Sequence, residues 1–396
     1  MGKIEALLLP RDKSFRVHPS GKKPKLFYVL FVSLFLFANL GSFVHIGNRV
    51  ITTSEIIMLF IVLTLLPSLK VRWSDSLVFI SILIIGLISV LYSIDPNESL
   101  KSFFSLGFYS FFTLAMVQAA RREPYFIDLF LDAFLTAVFI LSIYALFQSI
   151  YIYMFGTVER IIYPFGIFTW HTQSQLLISW RANSLYYEPN IFGMVSVFGL
   201  LLNLYLGKRA FYWNVMVLFS IILTFATTTY FMLVISLAAQ LLIGEKGFKS
   251  LDKGKFFLLT IFALFFFTTL FLSPGTDKSF FRYIPVLNRI REVSTPGTSG
   301  HYRITAPISS LPYMFTHYPF GVGLGAIDAF LIEPPSEISN YFIKGHSSYG
   351  KTVDNIILGW FFSFGLFASL FLGFFINLLR KTITTVSVSL AVCMFI

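Results

Sequence analysis

The chain has 396 residues, 56% of them hydrophobic and 18% aromatic, against only 12% charged, and its mean hydropathy is +0.77. A soluble chain of this length has too little interior to hide that much apolar surface, so a water-soluble enzyme or binding module is excluded. The net charge of +11 lies in short clusters between apolar runs, which points to membrane topology rather than to nucleic acid.

In chain order, residues 1–25 form a basic tail with Lys3, Arg11, Lys13, Arg16, Lys22, Lys23 and Lys25. No small-residue cleavage site follows the first apolar stretch, so residues 1–45 read as tail plus span rather than as a cleaved leader. A spanning helix needs about 20 mostly apolar residues. By that criterion spans are expected at 26–45, 50–68, 76–94, 103–120, 125–155, 190–206, 211–243, 256–273, 355–379 and 382–396. Basic residues flank 211–243 on both sides (Lys208 and Arg209 before it, Lys246, Lys249, Lys253 and Lys255 after it), so this run crosses twice. Its turn is expected at Thr227, Thr228 and Thr229, whose hydroxyls can satisfy freed backbone groups.

The reading is therefore an all-α, polytopic membrane protein with about 11–12 spans. Nine lie within 26–273, and the C-terminal ones within 355–396. Lys70 with Arg72, Arg121 with Arg122, and Arg380 with Lys381 complete the set of basic inner loops and place the N-terminus in the cytoplasm. Two outer loops are long, 156–189 and 274–354. The first carries Arg160, His171, Arg181 and Glu188. The second carries Lys278, Arg282, Arg289, Arg291, His301, Arg303, His317, His346 and Asp354. The middles of the apolar runs carry no ionisable residue, with Glu55, Asp128 and Asp132 near span ends. Ion-coupled transporters place charge at the bilayer midplane, so this distribution disfavours a flippase or transporter. It suits a ligand with an anionic head at the outer surface and an apolar tail, because Arg pairs bidentately with phosphate oxygens. The single Cys393 forms no disulfide within the chain, and the irregular spacing of His301, His317 and His346 makes no metal site; no cofactor is expected.

Three stretches stand out: RANSLYYEPNIFG (181–193), GHYRITAPISSLPYMFTHYPFGVGLGAI (300–327) and VDNIILGWFFSFGL (353–366). In order and outer location, they resemble the signature motifs of the O-antigen ligase and O-antigen polymerase superfamily of bacterial membrane glycosyltransferases. The resemblance implies a metal-independent transfer from an undecaprenyl-diphosphate-linked oligosaccharide at the outer face of the inner membrane. It implies diphosphate contacts by Arg181 and Arg303, and carries catalytic candidacy to Glu188, His301 and Asp354. Arg282, Arg289, Arg291, Asn190, His317, His346 and Asn355 are the substrate-binding candidates. Membrane lipid is the expected surrounding, a chain-length regulator is a candidate partner, and nucleic acid is not expected.

Ligases of the superfamily begin the third motif with His-Asn. Here Asp354-Asn355 stands at that place, which favours a polymerase of repeat units in O-antigen, capsule or exopolysaccharide synthesis. A ligase acting on an acceptor such as lipopolysaccharide core is the alternative. The arginine expected in the turn after the seventh span is missing from Thr227-Thr228-Thr229-Tyr230, and the chain stops at Ile396 inside an apolar run where the superfamily has a twelfth span. Local alternatives remain open. Pro189 and Glu188 suit a helix start by themselves. Gly321, Gly323 and Gly325 fit close packing better than a phosphate cradle, since no P-loop Lys-Ser/Thr follows. Arg282, Arg289 and Arg291 also suit lipid headgroups.

Overall fold

The computed structural model describes residues 22–37, 42–46, 49–69, 73–123, 125–155, 175–176, 179–180, 184–186, 189–224, 226–243, 305–332, 334–340 and 356–385. They are overwhelmingly helical, with two short antiparallel ribbons. The chain divides into two compact units, one made of 1–69, 119–266 and 378–396, the other of 70–118 and 267–377.

In the first unit, α1 (Lys22–Leu36) lies along α5 (Tyr125–Phe155). Phe27, Phe31 and Phe35 recur every four residues, as do Phe126, Phe130 and Phe134, so each set forms one ridge of its helix. The ridges interlock edge to face, Phe31 on Phe126 and Phe130 with centroids 5.2 Å apart, and Phe35 on Phe130 and Phe134 at 5.0 Å. Each such pair adds about 0.5–1.5 kcal/mol beyond its buried area. Because 27, 31 and 35 meet 126, 130 and 134 in ascending order, the two helices are parallel. Alternating crossing requires that of a first and a fifth span. α6 (Pro189–Leu206), α7 (Phe211–Leu223) and α8 (Thr227–Ile243) pack beside α5 around Leu135, Val138, Val197, Leu200, Val217 and Leu233.

The charged residues near span ends have local duties. Thr52 and Glu55 form a reciprocal capping box at the start of α2 (Thr53–Leu65). Lys208 pairs with Asp128 at 2.9 Å and Arg209 with Asp132 at 2.7 Å, joining the α6–α7 connection to the first turns of α5. The Arg209 guanidinium also donates to the Thr136 hydroxyl, which in turn contacts Tyr28 of α1.

Two boundaries differ from the sequence expectation. The first apolar stretch is helical only to Leu36, and Ser42–Ile46 (β1) pairs with Arg49–Thr52 (β2) instead of extending a span to residue 45. Hydropathy cannot separate these states, whereas the β-branched Val44, Ile46, Val50, Ile51 and Thr52 favour a strand. The 211–243 run is indeed two helices, but the break falls at 224–226, before the threonine triplet. There the Thr224 hydroxyl donates to Ile221 O and accepts from Ala226 N–H, while Tyr230 bonds Ile222 O across the turn. Thr227–Thr229 form the first turn of α8.

In the second unit, α3 (Trp73–Leu91) is followed by α4 (Pro96–Arg122), which reaches beyond the unit's end at residue 118. The start of α4 is set by Pro96 and by Asp95, whose carboxylate accepts from Glu98 N–H at 3.2 Å. α9 (Ala306–His317), α10 (Ile327–Ile332) and α11 (Ser336–Ser339) precede α12 (Ile356–Phe364). A short 3₁₀ turn, Gly365–Phe367, separates α12 from α13 (Ala368–Thr385). The expected single span at 355–379 is therefore broken in its middle. Among the described residues, three helical stretches, Pro96–Arg122, Tyr125–Tyr151 and Ile357–Asn377, are long and apolar enough to cross a membrane.

Candidate functional site

Of the candidate catalytic and substrate-binding residues, Asn190 and His317 fall among those described. Arg181, Glu188, Arg282, Arg289, Arg291, His301, Arg303, His346, Asp354 and Asn355 lie outside the described residues.

Within RANSLYYEPN, Pro189 is the first residue of α6 and Asn190 the second, so the chain turns into a helix where proline's missing N–H costs nothing. Ahead of it, residues 184–186 are locked into the first unit. Ser184 is fully buried and holds φ at +53°, an uncommon conformation for a side-chain-bearing residue. Its N–H donates to the Gln148 side-chain oxygen at 3.0 Å, and its hydroxyl donates to Leu141 O at 2.7 Å, both on α5. Tyr186 is buried against Phe192 and donates to Phe35 O of α1 at 3.4 Å. These partners escaped the sequence reading. The available signal was Gln148 itself, the sole side-chain amide in the apolar run 125–155 and only 3% exposed.

The second motif makes the glycine loop that follows α9. Gly321, Gly323 and Gly325 all hold positive φ, at 84°, 111° and 79°. The loop threads between α3, the start of α4 and the α12 break. Val322 N–H donates to Phe362 O at 2.8 Å, Ile94 N–H to Val322 O at 3.0 Å, and Leu366 N–H to Pro319 O at 2.9 Å. Ser89, 1% exposed, joins three elements by accepting from Leu324 N–H at 2.8 Å and donating to Ser363 O at 2.9 Å. A helix broken within a span exposes carbonyls and N–H groups, and here loop backbone and a serine hydroxyl satisfy them. The glycines thus serve close backbone packing. Ser89→Ala strands the half-buried Leu324 N–H and is expected to cost about 1–3 kcal/mol, read as a lowered unfolding midpoint in detergent. Ser81→Ala, which loses only an exposed bond to Leu77 O in the same helix, is expected to stay within about 0.5 kcal/mol.

His317 is exposed at the end of α9, its ring stacked on Tyr313 with centroids 4.1 Å apart. Its Nδ1 lies 3.2 Å from Tyr313 O and 2.9 Å from the Thr316 hydroxyl. A carbonyl can only accept, so Nδ1 donates in that contact. Glu337 on α11 is held below the usual carboxylate range, first by a hydrogen bond from its own backbone N–H, then by the Ser336 hydroxyl and the nearby His317. An imidazole beside an ionised carboxylate is equipped to bind hydroxyl groups. No group of three or more metal-ligating side chains occurs among the described residues.

The comparison with known families decides the class. The family described as WcaD colanic acid polymerase matches residues 26–395. The chain belongs to the WcaD colanic acid polymerase family. The match takes in all three motifs and every described helix from α2 onward. Membership in this polymerase family makes the chain a membrane protein that polymerises lipid-linked repeat units into polysaccharide, the first of the two alternatives left by Asp354-Asn355. No curated protein and no solved structure matches it.

Proposed function

We propose that this member of the WcaD colanic acid polymerase family crosses the inner membrane 11–12 times, with its N-terminus in the cytoplasm, and joins oligosaccharide units carried on undecaprenyl diphosphate at the outer face. The family match across 26–395 carries the reading, and the outer placement of arginine supplies its chemistry. An acceptor-sugar hydroxyl attacks the anomeric carbon of the lipid-linked donor. The new glycosidic bond forms as the carbon–oxygen bond to diphosphate breaks, and undecaprenyl diphosphate leaves.

Arg181 and Arg303 hold the leaving diphosphate. Fixed guanidinium groups supply the charge that a metal would otherwise provide, with no reorganisation during the step, so the transfer is metal-independent. Glu188, His301 or Asp354 takes the proton from the attacking hydroxyl. Arg282, Arg289, Arg291, Asn190, His317, His346 and Asn355 line the path of phosphate and sugar, and a chain-length regulator sets when the product is released.

Two measurements test this assignment. In a Cys393→Ser background, Ser299→Cys is expected to react with an impermeant thiol reagent in intact spheroplasts. Labelling only after permeabilisation inverts the topology. Arg181 and Arg303 are also expected within about 20 Å of each other, the most that one diphosphate and two extended side chains span. A site-to-site distance measurement on paired spin labels, one beside each arginine, checks that limit.

A further inference from the structure

The long loop 274–354 divides by charge. Residues 278–303 hold five cations, Lys278, Arg282, Arg289, Arg291 and Arg303, against one acid, Glu292. Residues 304–343 hold no lysine or arginine and three acids, Asp328, Glu333 and Glu337. A diphosphate suits the first half, and an ionised carboxylate at close range repels it. To an oligosaccharide the second half offers aromatic surface and acceptors for hydroxyl hydrogens.

Tyr313 and His317 are four residues apart at the end of α9, so they share one face of the helix. Their rings stack with centroids 4.1 Å and planes 17° apart. Tyr318 continues the patch, 6.4 Å from Tyr313 and edge to face on the buried Phe330 at 5.5 Å. Glu337 comes from a second element, α11. Its neighbour Ile338, 2% exposed, packs in the same core as Met314 of α9, which holds the exposed Glu337 near His317. The Tyr313 phenol is pushed above its ordinary value, by desolvation first and then by Glu337 and Tyr318, so it stays a neutral donor.

Bonding capacity remains in this cluster. The Ser336 hydroxyl donates to Glu337 Oε2 at 3.1 Å, and a carboxylate has about four lone-pair sites. Nδ1 of His317 is committed to Tyr313 O and the Thr316 hydroxyl, which leaves Nε2 for a ligand. A pyranose has C–H groups on its faces and hydroxyls around its rim. The C–H groups suit the negative face of an aromatic ring, and the hydroxyls suit a carboxylate and an imidazole.

We propose that Tyr313, His317 and Glu337 form a subsite for a neutral pyranose unit of the oligosaccharide. The sugar lies with its C–H face on the ring patch and its hydroxyls at Glu337 and His317. His317 then serves the sugar and not the phosphate. The subsite rests on the reading that the chain handles oligosaccharide repeat units, but not on the assignment of Arg181 and Arg303 to the diphosphate.

The test uses the full chain in nanodiscs, with oligosaccharide fragments of the polymer made by the complemented strain, free of lipid and phosphate. Magnetic saturation is expected to pass from the protein to the fragments' C–H protons, and a titration reads the Kd. Glu337→Ala and His317→Ala are each expected to weaken binding about 3–10-fold, the order of a hydrogen bond lost. Both residues are exposed, so the unfolding midpoint should hold and lost binding is not lost fold. Tyr313→Ala should abolish the transfer, whereas Tyr313→Phe, which keeps the ring, should retain it. Methyl glucoside should compete better than methyl glucuronide, and Glu337→Gln should narrow that difference.

A stack that only ends α9 gives the opposite pattern. Unchanged titrations in Glu337→Ala and His317→Ala, or no transfer to the wild-type fragments, overturn the subsite. Equal competition by the two methyl glycosides overturns its preference for a neutral sugar. Weakened fragment binding beside a normal polymer ladder from Arg181→Lys sinks the diphosphate assignment and leaves the subsite standing. Unchanged binding beside a collapsed Arg181→Lys ladder does the reverse.

Discussion

Arg181→Lys is expected to lower polymer formation about 10²–10³-fold, the usual loss when one charge-assisted donor is removed from a preorganised site. Lysine keeps the charge but presents a point donor, and cannot grip two phosphate oxygens with a planar fork. Only two residues separate Arg181 from the Ser184 anchor, which leaves the new ammonium group little freedom to migrate to a better position. Protein level should not change, because Arg181 lies outside the expected spans. The measurement is the ladder of polymer lengths from a deletion strain complemented with the variant, at matched protein level. A wild-type ladder would reduce Arg181 to a headgroup contact and leave the stretch as the entry to α6.

Gly321→Ala is expected to cost about 2–6 kcal/mol, which would deplete the folded protein. Two terms add. A side-chain-bearing residue at φ +84° costs about 1–3 kcal/mol. The added methyl would also overlap the Ser363 carbonyl and lie 2.6 Å from Phe364 N, in backbone that cannot step aside, for about 1–3 kcal/mol more. The contact is mutual, since a methyl at Gly365 would meet the Pro319 carbonyl and the Gly321 N–H. Gly207→Ala is the control. Gly207 also has positive φ, at 62°, but open space lies around it, so only the conformational cost of about 1 kcal/mol remains. Size-exclusion profiles of fluorescently tagged protein before and after heating distinguish the two. Equal profiles would mean that the loop can leave the α12 break without loss.

Much of the fold was legible because lipid imposes simple rules. α5 appears at 125–155 as expected, since a long apolar run charged only near its start has few other fates. The two helices within 211–243 followed from the lysines and arginines flanking the run, not from its hydropathy. What failed was local. The end of α1 at Leu36 depends on a strand preference that hydropathy ignores, and the turn at Thr224 depends on which of several threonines bonds back to the preceding turn. At the site, the glycines were legible as packing residues because no phosphate-binding lysine follows them. Their partners were not, since Ser89 and Ser363 lie 235 and 39 positions from Leu324 in sequence. Gln148 was missed for the same reason, its partner Ser184 being 36 residues away.

The break at Gly365 also bears on how the chain is made. Synthesis proceeds from the N-terminus, so α3 with Ser89 is available first, then the loop from Pro319 to Leu324, and the break last. When α12 enters the membrane, the carbonyls of Phe362 and Ser363 meet acceptor-seeking groups already in place, the N–H of Val322 and the hydroxyl of Ser89. Until α12 arrives, the Val322 N–H has no partner there. The latest part of this unit thus completes hydrogen bonds that the earlier parts hold open, and a ribosome stalled before residue 362 leaves a nascent chain whose glycine loop cannot close.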